Sequence, residues 1–291
     1  MSLKSKSLML LNTALGRLLP DSLYLKLKFR LLLGYSLNLD APGTFNEKLQ
    51  WLKLYDRNPL YHSLVDKYDV KKYVAGLIGE EYLVPTIGCW DKPEDVPWNE
   101  LPERFVIKCT HDSGSTIVCT DKATFDREGA VKKLESCIER DYYSIDREWV
   151  YKGLKRRIIV EEYLGENLPD YKFFCFNGRP EFMYVASDRA KGQENLTFDF
   201  FDMDKNHLDF RQGHPNASIV PALPENFDEM KVLASRLSTG IPHVRVDFYD
   251  CNGRIYFGEY TFYHFGGIVP FDPQIMDVEL GALIDLPDIE K

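Results

Sequence analysis

The sequence predicts an α+β fold, on three observations. Short runs of alternating apolar and polar residues come in neighbouring pairs joined by tight turn signals, as antiparallel hairpins require. Helical patterns stand singly between those pairs rather than after every strand, which excludes a doubly wound α/β sheet. No internal repeat or low-complexity stretch breaks the order.

The elements follow in sequence. Ser7 to Gly34 is rich in Leu with interspersed Lys and Arg, and reads as two helices broken at Pro20-Asp21. Thr44 to Tyr55 is a helix with Thr44 as N-cap and Glu47 three residues later, a capping box. Val65 to Leu77 reads as one helix, closed by Gly79. Tyr82 to Trp90 is a strand plus loop, and Pro93 to Pro102 a connector. Phe105 to Cys109 (FVIKC) is a short buried strand, Thr110 to Thr116 (THDSGST) a polar loop, and Ile117 to Thr120 a second strand. Phe125 to Arg140 is a helix capped by Thr124. Arg157 to Leu164 is a strand that turns polar at Glu161 and Glu162. Tyr171 to Phe176 and Glu181 to Ala186 form a hairpin across Asn177-Gly178, and Leu196 to Phe201 adds a strand. A helix from Asn226 to Ser238 precedes the last hairpin, Val244 to Tyr249 and Ile255 to Phe262, whose turn is Asp250-Cys-Asn-Gly253.

The 291 residues suffice for one large or two ordinary domains, and the net charge of −9 argues against a nucleic-acid partner. That charge is uneven. Residues 1 to 34 carry six Lys/Arg and one acid, a net of +5, which leaves −14 for the rest. A leucine-rich basic segment of this kind either packs on the body of the protein or rests on anionic lipid as a peripheral contact. Six cysteines without CxxC spacing read as reduced thiols of a cytoplasmic protein. No apolar run reaches the length of a membrane span, and no cleavage site follows the N-terminal apolar residues.

Candidate chemistry concentrates in two places. In the last hairpin, Asp247 and Glu259 can share a face, with Arg245 two residues before Asp247 on the same side. Two carboxylates and a fixed cation suit Mg²⁺, which takes one or two protein carboxylates and fills its shell with substrate phosphates. The bland alternative is a solvated hairpin face. The second place is Lys108, ending an apolar strand ahead of Ser113, Gly114, Ser115 and Thr116. Backbone N–H groups and hydroxyls in such a loop can wrap phosphate oxygens, and a buried Lys there calls for an anion. A plain hairpin loop with a surface Lys is the competing reading. His111 and His264 lie beside these motifs as structural histidines or substrate contacts, and Asp188-Arg189 as an anion grip or a surface ion pair.

In this order the chain resembles the ATP-grasp superfamily: Asp66-Lys67 opening a helix, Lys108 before the Ser/Gly loop, Glu161-Glu162-Tyr163-Leu164, Asp170-Tyr171-Lys172, Arg245-x-Asp247 and Glu259-x-Thr261. DKYDVKKYV, FVIKCTHDSG, PDYKFFCFNG and YFGEYTFY make it similar to the TupA-like group of polysaccharide-biosynthesis clusters. The resemblance implies an ATP-grasp fold with two α+β subdomains gripping the nucleotide. It divides the chain into an N-terminal helical segment (1–62), a preceding region (63–104), a small subdomain with the phosphate loop (105–160) and a C-terminal subdomain with the metal site (161–291).

It also implies roles. Lys67 and Lys108 hold the α- and β-phosphates of ATP, with Ser113, Gly114 and Ser115 in the loop over them. Glu161 accepts from the adenine amine, Glu162 lies in the same hinge, and the backbone of Tyr163 or Leu164 meets the ring edge. Asp170 takes the ribose, Lys172 the γ-phosphate, Asp247 and Glu259 the Mg²⁺, and Arg245 the acyl phosphate. Where the family has Asn, this chain has Thr261, whose hydroxyl can reach a metal but which offers no amide carbonyl. The implied activity is ATP-dependent ligation of a carboxylate to an amine, with an amino acid and a uronic acid of a cell-surface glycan as substrates. A sugar transferase and a non-catalytic nucleotide- or glycan-binding module are the rivals. Neutralising Asp247 or Glu259 is expected to abolish turnover and spare the fold.

Overall fold

The computed structural model describes residues 18–166, 168–187 and 195–288, together with Leu8, Leu11, Thr13 and Gly16. The first expected helix and the Asp188-Arg189 pair therefore lie largely or wholly outside the described residues. Helix α1 (Asp21–Leu33) begins after Pro20 and stops at Gly34, whose left-handed conformation closes it on the Arg30 carbonyl. Helix α2 (Phe45–Tyr55) carries the expected capping box, with Thr44 Oγ1 accepting from Glu47 N and Glu47 Oε2 from Thr44 N.

The single helix expected over Val65 to Leu77 is instead two, α3 (Leu60–Val65) and α4 (Asp69–Ile78). The reason is local. Asp66 leaves the helical conformation, and its carboxylate accepts from Tyr68 N and Asp69 N, both at 2.9 Å, so it starts a new helix rather than continuing one.

Four strands form the smaller sheet: β1 (Thr86–Trp90), β2 (Phe105–Cys109), β3 (Ile117–Cys119) and β4 (Ile158–Glu162), in the order β1-β4-β2-β3. Helix α5 (Arg127–Ile138) covers it. Its N-cap is Asp126, not Thr124, because Asp126 Oδ1 is the acceptor that reaches Gly129 N, at 2.9 Å. Val96, Trp98, Phe105, Ile107, Leu134 and Val160 share a core of their own here. The short helix α6 (Tyr143–Asp146) and a turn at Trp149–Tyr151 lead from α5 towards β4.

The larger sheet contains β5 (Asp170–Phe176), β6 (Arg179–Ser187), β7 (Thr197–Asp202), β8 (His207–Leu208), β10 (His243–Cys251) and β11 (Arg254–Thr261), in the order β11-β10-β5-β6-β7-β8. The ribbon of β9 (Arg211–Gln212) and β12 (Phe271–Asp272) stands apart. Helix α7 (Phe227–Ser238) packs on one face through Phe227 against Phe173. Helix α2 meets the other face through Phe45 against Phe174 and Phe176. Helix α8 (Ile275–Ala282) follows β12 and lies outside the elements read from the sequence.

One residue sets the phase of the last hairpin. Asn252 and Gly253 both have positive φ, as the tight turn requires. Counting back from Cys251 opposite Arg254, pairing is regular to Phe248 opposite Phe257, and Asp247 would next face Gly258. It faces Glu259 instead, because Gly258 is bulged out. A side chain at 258 would lie 3.2 Å from both the Asp247 carbonyl and the Tyr249 ring. Without the bulge Glu259 would point to the opposite face.

Candidate active site

Strand register gathers the charged residues of the larger sheet into two adjacent rows. Tyr184, Lys172, Asp247 and Glu259 are neighbours on β6, β5, β10 and β11, and Phe174, Arg245 and Thr261 form the next row. Residues two apart on a strand share a face, so both rows face the same way. Asp247 is buried and held from two sides. Arg245 donates Nε to Oδ1 and Nη2 to Oδ2, each at 2.7 Å, and Lys172 Nζ donates to Oδ2. Burial alone would raise the Asp247 pKa, but Arg245 and Lys172 outweigh it and hold the carboxyl below its usual range. The same burial works against the Lys172 charge, and Asp170 and Asp247 outweigh it, so the ammonium is strengthened.

Glu259 is different, with its side chain 40% exposed and 3.7 Å from Arg245. Thr261 Oγ1 accepts from Arg245 Nη2 at 2.8 Å. A half-open carboxylate beside a buried one, with oxygen donors only, fits a hard divalent ion such as Mg²⁺. Among the described residues no cluster of three or more His, Cys, Asp or Glu exists, so further ligands of such an ion would come from phosphate and water.

His264 is buried under Arg245, with Nδ1 accepting from Nη1 at 2.7 Å. Burial and then the Arg245 charge hold its pKa well below the ordinary value, so it is a neutral acceptor. His111 is buried in the loop after β2 and likewise held below its usual pKa by burial.

A slot of about 630 Å³ runs between the two sheets. Val70, Leu83, Val106, Val118 and Phe257 give it apolar walls, and Lys67, Lys71, Lys108 and Glu161 give it charge. Tyr163 and Leu164 border it at the exit of β4, and Glu162, exposed, is part of the same rim. At the other side the lining reaches Gly258, next in the chain to Glu259. Such a volume and such walls are typical of a small-molecule site.

The charges inside the slot are paired. Glu161 receives Lys71 on Oε1 at 2.5 Å and Lys108 on Oε2 at 2.6 Å. Burial would raise the Glu161 pKa, and Lys108 and Lys71 together pull it below the usual range. The anion expected for Lys108 is therefore supplied within the protein. Lys67 reaches into the loop after β2 and donates to the Asp112 carbonyl.

Within that loop Gly114 has φ 92° and is exposed with Ser113, whereas Ser115 is turned inward. Its hydroxyl donates to Asp112 Oδ1 at 2.5 Å and accepts from Cys109 N at 2.9 Å. The Ser115 side chain thus closes the loop instead of facing a phosphate. Asp170 also departs from expectation. It is buried beside Lys172, 3.6 Å away, and does not line the slot. Glu166, exposed, does line it. Sequence reasoning passed over Glu166 and Lys71. The only available signal for Lys71 was its place four residues after Lys67.

Beyond the charged rows lies a third group. Glu148 is half-buried, and its pKa is pushed up to about 7 by burial, against the pull of Lys53. Lys53 is buried and donates to the carbonyls of Asp146 and Gly266 at 2.9 and 2.7 Å. Burial, and then the neighbouring Glu148, push the Tyr142 and Tyr151 hydroxyls above their ordinary pKa.

A family model described as TupA-like ATPgrasp matches residues 47–285. No curated protein matches the chain. Among solved structures, the D-alanine–D-alanine ligase of Bacillus anthracis complexed with ATP is 15% identical over 70% of this chain and 56% of its own, with a TM-score of 0.41. The Helicobacter pylori D-alanine–D-alanine ligase is 15% identical over 84% and 70%, at 0.40. The N5-carboxyaminoimidazole synthetase of Staphylococcus aureus complexed with ADP is 16% identical over 77% and 52%, at 0.41. The chain spans little more than half of the first of these enzymes. With the family model covering most of its length, the chain belongs to the TupA-like ATPgrasp family.

Proposed function

We propose that the protein ligates a carboxylate to an amine using ATP, through an acyl phosphate. The observation that carries this reading is that the slot is lined on this side by Tyr249 and Gly258, strand neighbours of the charged rows of β10 and β11. The apolar walls suit a purine, with Glu161 as acceptor for its amine. Lys67 and Lys108 stand where phosphates would follow, with Ser113 and Gly114 on the exposed loop above them. Lys172 and Arg245 then face the γ-phosphate and the developing acyl phosphate. Chemistry of this kind needs reactants positioned and negative charge neutralised, and no nucleophilic side chain. Mg²⁺, held by Asp247 and Glu259 with Thr261 adjacent, would add charge neutralisation at the transferring phosphoryl group. Glu166, which lines the slot where Asp170 does not, is in this reading the carboxylate for the ribose.

In this reading residues 1–62 are the helical segment and 63–104 lead into the grasp. The small subdomain, 105–160, comprises β2, β3, α5 and the start of β4, with β1 joined to its sheet from the preceding region, and 161–291 is the C-terminal subdomain. The substrates we propose are an amino acid and a uronic acid of a cell-surface glycan, on the strength of family membership. The test is ADP release with pooled amino acids and uronic acids. Release that requires both an acid and an amine supports ligation. Binding of ATP without release in any pool would reduce the protein to a binding module, and cleavage of a sugar nucleotide would make it a transferase.

We also propose that α1 rests on a membrane surface. Leu23, Lys26, Leu27 and Arg30 form one exposed face of the helix, and Leu18 precedes it, 81% exposed. Lys28 does not belong to that face. It is buried and pairs with Asp146 at 2.6 Å, so the positive charge of the segment is partly committed to packing.

A further inference from the structure

The two lysines on Glu161 differ in what else they hold. Lys71 Nζ also donates to the Val84 carbonyl at 2.6 Å and to Thr86 Oγ1 at 2.7 Å. With Glu161, that gives each of its three N–H groups an acceptor from the protein. Lys108 has Glu161 as its one protein partner among the described residues, and it lines the slot. One lysine is pinned and the other can leave.

We propose that Lys71 is the permanent counter-ion of Glu161, and that it allows Lys108 to exchange from Glu161 to a phosphate oxygen of the bound nucleotide. The argument is one of stranded charge. The Glu161 side chain is 7% exposed. If Lys108 were its sole partner, drawing that lysine towards a phosphate would leave a buried carboxylate without a cation, and it would take up a proton instead. A protonated Glu161 would be uncharged, with one oxygen turned from acceptor to donor. With Lys71 held by β1 and the segment before it, Glu161 stays ionised through the exchange. The groups facing Glu161 are Lys71 from α4 and Lys108 from β2, and both enter the argument. Lys71 is in this sense a positioning residue. The proposal rests on the ligase reading above, in which Lys108 serves the phosphates.

The test is calorimetry of MgATP binding to the full chain, in buffers of different ionisation heat between pH 6 and 8. The parent protein should bind without net proton uptake at Glu161. In Lys71→Met, binding should take up close to one proton, and affinity should fall by up to tenfold for each unit of rising pH. Lys71→Arg, which keeps the charge, should restore binding without uptake. ATP binding by Lys71→Met with no proton uptake and parental affinity overturns the proposal, whatever the melting temperature. A nucleotide-free arm separates this from the ligase reading. Lys108→Met imitates departure of Lys108, and its stability should not gain a new pH dependence. Lys71→Met/Lys108→Met should become more stable as pH falls from 8 to 6, and adding Glu161→Gln should abolish that gain. Identical profiles for the single and double variants overturn the role of Lys71. Failure of the parent to bind ATP overturns the ligase reading alone.

Discussion

Arg245 meets Asp247 through a two-pronged fork, Nε to Oδ1 and Nη2 to Oδ2, and the pair is buried. Such geometry is among the stronger forms of ion pairing, and its loss would leave Arg245 and Lys172 buried without their shared carboxylate. This changes the expectation that both acidic substitutions spare the fold.

Asp247→Asn is expected to abolish turnover and also to cost about 3–5 kcal/mol of stability. Glu259→Gln should abolish turnover at ordinary Mg²⁺ with stability changed by less than about 0.5 kcal/mol, because its side chain is 40% exposed. Denaturant melts beside turnover assays check both. Equal melts for the two variants would contradict the asymmetry.

Lys108→Met should weaken ATP binding by more than tenfold and leave a folded protein, since Glu161 keeps Lys71. Isothermal calorimetry with a non-hydrolysable ATP analogue reads the affinity. Parental affinity would make Lys108 a partner of Glu161 and nothing more.

Glu148 gives the stability a pH dependence of defined sign. Its pKa is raised to about 7 in the folded protein, so folding favours its protonated form. Stability from this group is fully present below the unfolded carboxyl range and is lost as pH rises through about 7. Glu148→Gln should therefore gain on the parent between pH 5 and 8, by on the order of 1–3 kcal/mol. Paired chemical melts at the two pH values measure it, and a constant difference would refute it.

The exposed face of α1 should carry the protein to anionic vesicles at low salt and release it at high salt, with no flotation on neutral vesicles. Each basic residue near such a surface contributes about 1 kcal/mol. Lys26→Glu/Arg30→Glu should abolish flotation, and Leu23→Ser/Leu27→Ser should weaken it. Equal, negligible flotation on both kinds of vesicle would leave α1 as a packing element.

Hairpins were the most legible part of the sequence, because Asn177-Gly178 and Asn252-Gly253 sit between alternating runs and dictate their turns. Helix boundaries were less so. Asp66 and Asp126 act through side-chain bonds to their own backbone, and nothing in apolar periodicity reports which of several polar residues makes that bond. The charged rows were foreseen in composition but not in pairing. Asp170 faces Lys172 because both lie on one strand face, and Lys71, one of two adjacent lysines on an exposed-looking turn, differs from Lys72 only in which side of α4 it occupies. Those distinctions arise from tertiary placement.

Gly258 is the extra residue that keeps the two carboxylates of the last hairpin on one face. Paired with Asp247 instead of bulged out, it would slide β11 by one position from there onward, carrying Glu259 and Thr261 to the far side of the sheet while Tyr249 opposite Tyr256 stayed in place. Deleting it would close the bulge and leave Glu259 opposite Asp247. The carboxylates would then face each other with a different number of residues between them. Spacing between acidic residues is therefore a poor guide to their juxtaposition in any hairpin that carries a bulge. Parity along the strand, corrected for each extra residue, is the quantity to count.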